Sequence, residues 1–228
     1  MDSRLSALAK ILVHYSVLVQ EKEELLIRGG VDAGDLIREI YSEAIRAGAY
    51  PKIKLALPGI DYEFFSWAQD HQLDFISDID WLEADTMSAM INVKSDRNTK
   101  ELSSINPARL TRMQKAREEL KKRILERVRW NITLFPTNAL AQDAEMSLRE
   151  YTDFVYEAMF ADCDDPIGEW NRLSREQEKL CNLFNQGRTI RILGRDTDIS
   201  MEIAERTFIN SDGKNNMPSG EIFSAPVE

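Results

Sequence analysis

Few residues in this sequence have types and spacing suited to chemistry. Near the end of the 228 residues, Met217-Pro218-Ser219-Gly220 has type I turn composition: Pro presets φ at the second position and Gly takes the fourth. Glu221 follows at the mouth of a short apolar run, Ile222-Phe223, so its carboxylate is held on a stiff corner. By pattern alone this is a surface turn carrying a solvated Glu. The only histidines, His14 and His71, lie far from Glu221 in sequence, and a lone His on an amphipathic helix is more often structural. Asp162, Asp164, Asp165 and Glu169 cluster as a hard-cation site would, yet acids also favour the first turn of a helix, which explains them more simply. Arg109, Arg112, Lys115, Arg117, Lys121, Lys122 and Arg123 share their stretch with Glu118, Glu119 and Glu126. That mixture reads as a solvated face laced with ion pairs, not a phosphate-binding patch. Gly29-Gly30 lacks the G-x-G-x-x-G spacing of a dinucleotide loop.

Composition narrows the function classes. A hydrophobic fraction of 43% supports a core, and 30% charged residues support solubility. A net charge of −10 argues against nucleic acid, whose binding needs clustered Lys and Arg. Cys163 and Cys181 have no C-x-x-C spacing, which fits reduced thiols in the cytoplasm. The N-terminus enters an amphipathic helix directly, without a signal-peptide core, and no apolar run is long enough to span a bilayer.

The elements that would position Glu221 follow from periodicity. Leu5, Leu8, Ile11, Leu12, Tyr15, Leu18 and Val19 predict one helix with an apolar face. Glu24 to Gly30 reads as a strand, Asp32 to Ala47 as a helix capped by Asp32, and Lys52 to Leu57 as a second strand. Asp61 caps a short helix, Asp74 to Ser77 reads as a short strand, and a helical turn surrounds Trp81-Leu82. Met87 to Val93 is a strand, and Asn106-Pro107 starts a helix that runs to about Arg127. Trp130 to Phe135 is the next strand. Helical crossovers between strands are βαβ logic, so we expect an open, mostly parallel α/β sheet with flanking helices. Ser147 and Glu150 form a capping box, and Asp165-Pro166 opens a helix stopped by Gly187. Thr189 to Leu193 and Asp198 to Ile203 then read as antiparallel strands about a tight turn, which places a domain boundary near residue 187.

Asn216-Met217-Pro218-Ser219-Gly220-Glu221-Ile222-Phe223-Ser224-Ala225-Pro226-Val227-Glu228 resembles the signature N-M-P-[DS]-G-E-[VI]-F-[TS]-A-P-V-E. That signature belongs to dinuclear metalloaminopeptidases related to aminopeptidase T and aminopeptidase S. Phe135-Pro136-Thr137, Ala141-Gln142, Met146-Ser147, Tyr151, Phe154-Val155-Tyr156, Asp162, Asp165-Pro166 and Trp170 resemble the family's second recognisable block. Ser219 stands where family members more often have Asp. The resemblance implies that Glu221 is one ligand of a pair of catalytic divalent metals, zinc or cobalt, in an enzyme that hydrolyses the first peptide bond of peptides. It places the other ligands and the general base downstream, and implies a homodimer. Glu228 is a weaker candidate for an acidic role. Residues 1–187 would then be an N-terminal α/β domain and 188–228 the truncated start of the catalytic domain, inactive alone and holding no metal. The alternative is a stand-alone binding or dimerisation module. A nucleotide-binding doubly wound domain is a third reading, which lacks a phosphate-gripping loop.

Overall fold

In the computed structural model, which describes residues 2–225, Asp2 caps helix α1 (Ser3–Lys10) by accepting from the Arg4 amide. The helix winds on into a π-helical stretch, Ile11–Ser16, where Ile11, Leu12, Val13, Tyr15 and Ser16 are all buried. Only His14 in this stretch reaches the surface, so the segment is enclosed on all its other sides. Strand β1 (Glu24–Gly30) leads through a 3₁₀ turn, Val31–Ala33, into α2 (Gly34–Arg46). Asp32 lies inside that turn, where Arg97 binds it at 2.6 Å, and so does not act as the expected cap.

Strand β2 (Tyr50–Ala56) is followed by α3 (Ile60–Trp67), α4 (Asp70–Leu73) and α5 (Asp78–Thr86). Gly59, at φ +81, occupies the α3 cap, and Asp61 falls in the first turn. The short strand expected over Asp74–Ser77 is absent: the segment only connects helices, and the Ser77 hydroxyl caps α5 by accepting from the Ile79 amide. After β3 (Ala89–Lys94), Asn106 caps α6 (Pro107–Ala116) as its Asn-Pro sequence predicts. The backbone leaves helical geometry at Arg117 before α7 (Glu118–Arg127), so the continuous helix expected here is two.

Strand β4 (Arg129–Leu134) precedes α8 (Asn138–Asp143), α9 (Leu148–Ala158) and α10 (Pro166–Asn185). The Ser147–Glu150 capping box forms at α9, and Asp165 caps α10 by accepting from the Gly168 amide at 2.9 Å. Strands β5 (Thr189–Gly194) and β6 (Thr197–Glu202) form the expected hairpin. Three short strands follow: β7 (Ile209–Ser211), β8 (Asn216–Met217) and β9 (Glu221–Phe223).

Five strands make one parallel sheet in the order β2-β1-β3-β4-β8, and β5-β6 and β7-β9 make two small antiparallel sheets. Alternation along β1 sends Leu25 and Ile27 into the main core, built with α1, α2, α9 and α10. Leu26 points the other way, into a smaller cluster with Met87, Met90 and Val128 near α5 and α7. Helices thus cover both faces, which is why the central strands are near-continuous apolar runs. The chain beyond residue 187 returns to this sheet: β8 pairs with β4, and Met217 is buried in the main core.

Candidate functional site

Glu221 opens β9, and its neighbours are fixed by hydrogen bonds of the backbone and of small side chains. The Gly220 amide donates to Ser211 O at 3.0 Å, and the Ser219 hydroxyl donates to the same carbonyl at 3.0 Å. Gln177 of α10 donates from Nε2 to Glu221 O at 2.7 Å. Met217–Pro218 is cis and Gly220 has φ +115. The type I turn expected over Met217–Gly220 is therefore corrected. A closed turn would send the Gly220 amide back to Met217, whereas here it reaches across to β7.

The stretch before Glu221 is clasped to the main domain. Tyr15 donates its hydroxyl to Asp212 O at 2.8 Å, Ser16 donates to Gly213 O at 2.7 Å, and Asn131 Nδ2 donates to Gly213 O at 3.1 Å. Burial, then the nearby Asp212 charge, push the Tyr15 phenol well above its ordinary range, so it remains a protonated donor at physiological pH. The buried Asp212 carboxylate accepts from Ser174 Oγ at 2.8 Å and pairs with Lys214 at 2.5 Å. Gly213 has φ +89, and a Cβ there would lie 2.8 Å from Met217 Cε and 3.1 Å from Trp170 Cε3. Only glycine suits that backbone and that space. Trp170 itself is fully buried, donates Nε1 to Met159 O at 2.9 Å and packs edge-on to Phe160.

By contrast the Glu221 side chain is exposed and makes no hydrogen bond or ion pair among the described residues. Its backbone is fixed and its carboxylate is free to take a ligand. The other sequence candidates sit elsewhere. His14 Nε2 is 2.7 Å from Glu43 Oε1, joining the π-helical stretch to α2, and His71 is exposed on α4. Arg112 and Arg123 of the basic helices pair with Asp74 and Asp85. Both cysteines are free, and burial first, then neighbouring acids, raise both thiol pKa values, so neither is a ready thiolate nucleophile. No three His, Cys, Asp or Glu side chains converge as a metal centre among the described residues. Glu228 lies outside the described residues.

Sequence reasoning missed Gln177, which bonds the Glu221 carbonyl, and Asp212, which ties the segment after β7 to Tyr15 and to Ser174 of α10. The signals were present but weak: a Gln on the inner face of α10, and an Asp before a Gly that reads as an ordinary turn.

The chain is thus a parallel α/β unit that presents a carboxylate on a short strand beyond the last strand of its sheet. The sequence model of the thermophilic metalloprotease (M29) family matches residues 1–228, and the chain belongs to that family. No curated protein matches it in sequence. Among solved structures it is similar to wild-type AmpT from Thermus thermophilus, with 21% identity and a TM-score of 0.77 over 98% of this chain. It is also similar to 2,5-dihydroxypyridine dioxygenase from Pseudomonas putida KT2440, with 10% identity and a TM-score of 0.52 over 100% of this chain. These likenesses are of fold. The chain spans 61% of the AmpT chain and 57% of the dioxygenase chain. No helix among the described residues is long and apolar enough to cross a membrane.

Proposed function

We propose that Glu221 is one carboxylate ligand of the divalent-metal site of an aminopeptidase that removes the N-terminal residue from peptides. The observation that carries this reading is the contrast at Glu221, in a chain of a metalloprotease family: backbone pinned by Gln177, side chain exposed without a partner. A protein zinc site usually takes three protein ligands with an open position, and the described residues offer no such group. They fit Glu221 as a contributor, not a whole centre, and the remaining ligands and the general base would come from downstream of residue 228. A bound pair of zinc or cobalt ions would supply a water of lowered pKa and a Lewis acid for the substrate carbonyl. This chain's own part is to hold one carboxylate at a fixed place.

On the same reading the enzyme is a homodimer acting on peptides in the cytoplasm; the two free cysteines support a reducing compartment. Alone, the 228-residue chain is expected to hold less than stoichiometric metal and to release no chromophore from aminoacyl anilides. Elemental analysis and that assay, run beside a longer chain carrying the downstream residues, decide it. Two metals and turnover in the 228-residue chain would refute the divided site.

A further inference from the structure

The order β2-β1-β3 means that the chain reverses direction across the sheet between β1 and β3. In open parallel sheets, crevices outside the carboxyl ends of strands at such a switch point bind ligands. Here a crevice of about 710 Å³ lies at that place, lined by the ends of β1, β2 and β3 and by Arg117, at the break between α6 and α7. We propose that this crevice binds a small oxyanion, the phosphate or carboxylate group of a metabolite. The inference goes beyond the aminopeptidase reading and does not depend on it.

Four observations point to an anion. First, among the lining cations Arg28 pairs with Glu83, Lys54 with Asp80 and Glu83, and Arg97 with Asp32. Lys94 and Arg117 have no carboxylate partner among the described residues, in a chain of net charge −10. Second, two lining residues carry buried polar atoms without a partner, Arg28 Nε and Ser95 Oγ. The first can only donate, and the second can donate. Buried polar atoms without partners are costly, and an acceptor reaching them on modest side-chain movement would remove the cost. Third, α2 has no side-chain cap, since Ala33 before it offers no acceptor to the first amides, although Asp35 lies in its first turn. Uncapped amides at a helix start favour negative charge. Fourth, Gly30 brings the backbone close to Ser95: a Cβ there would lie 2.5 Å from Ser95 Oγ and would displace that hydroxyl. The lining acids without partners are Asp61, Asp96 and Glu101. They outnumber the two unpaired cations, so the unpaired charge of the lining is not net positive; a polyanion would be repelled, and we confine the ligand to one small anionic group. The crevice lacks a dinucleotide fingerprint, which fits the same limit.

The test uses the 228-residue chain at low ionic strength, titrated separately with inorganic phosphate and with succinate, and followed by amide NMR shifts. Saturable shifts at Gly29, Gly30 and Ser95 are expected with at least one probe, and which probe saturates identifies phosphate or carboxylate as the source. The exposed pair Lys94→Ala/Arg117→Ala should weaken that binding at least tenfold while the amide spectrum away from the crevice stays unchanged. Gly30→Ala, a second variant acting through sterics, should weaken it as well. The site is overturned if neither probe saturates, if the shifts lie elsewhere, or if the double variant binds as well as the parent. None of these readouts involves metal or peptide hydrolysis, so failure here leaves the aminopeptidase reading untouched.

Discussion

At the level of single residues, the exposure of Glu221 makes its substitution informative. Glu221→Gln keeps shape and removes charge. The fold should be indifferent, since only the Glu221 carbonyl, not its side chain, is bonded by Gln177. In the enzyme carrying the downstream residues, we expect stoichiometric metal to be lost and turnover to fall by roughly three orders of magnitude or more, a loss of ~4 kcal/mol in transition-state stabilisation. Elemental analysis and anilide kinetics measure the two effects, and unchanged circular dichroism separates them from misfolding. Trp170 is the opposite case. It is enclosed by Phe160, Tyr15 and the Gly213 backbone, so Trp170→Ala should cost about 3–5 kcal/mol in urea unfolding. Gly213→Ala inserts a methyl where Met217 and Trp170 already meet, and should cost about 1–3 kcal/mol.

Among the elements, the contact between the π-helical stretch and α2 carries a pH dependence. Burial raises the Glu43 pKa, but hydrogen bonds from His14 and Arg46 outweigh it, and the net shift is below the ordinary 4.5. A carboxylate with a depressed folded-state pKa stabilises the protein above its unfolded value, and that contribution is lost as pH falls through the folded value. Glu43→Gln should therefore narrow the gap in urea midpoint between neutral pH and about pH 3. An unchanged gap would remove Glu43 from the acid response. The hairpin β5–β6 makes a second prediction at this level. Its residues are almost all exposed, including Ile192, Leu193 and Ile199, and neither edge pairs with a further strand among the described residues. Such edges pair with other chains, so light scattering should show concentration-dependent association that Ile192→Lys reduces.

The elements also show what sequence can and cannot reveal. Capping signals at Asn106-Pro107, Ser147–Glu150 and Asp165-Pro166 all gave helix starts, because a cap is a local contract between neighbouring residues. The long apolar strands β1 and β3 were equally plain. Strand β8 was not, because two residues have no periodicity, and its pairing depends on a β4 partner distant in the chain. The metal role proposed for Glu221 rests on resemblance to a family signature; its local pattern says only turn. The crevice was invisible for a related reason. Its lining comes from three strand ends and a helix break that only the fold brings together.

For the whole molecule, the sheet and its clasp raise the question of where an independent unit ends. We retain a division near residue 187 as a proposal with a measurable consequence. A chain of residues 1–187 would lack β8, Met217 and the carbonyls that Tyr15, Ser16 and Asn131 donate to. Asn131 and Thr133, buried in the parent, would be left on an open edge. That piece should unfold at a clearly lower urea concentration than the 228-residue chain, whereas equal midpoints would make residues 1–187 a self-sufficient domain.

The late arrival of the fifth strand also sets an order in time. Asn131 and Gly213 are 82 residues apart in sequence, yet they are hydrogen-bonded neighbours. Closing so long a loop costs entropy before any contact repays it, and distant pairings of this kind slow folding. A ribosome would deliver β1 through β4 well before residues 216 and 217 emerge. For that interval β4 is an unfinished border, and the nascent chain is most exposed to capture by a chaperone or by a neighbouring copy.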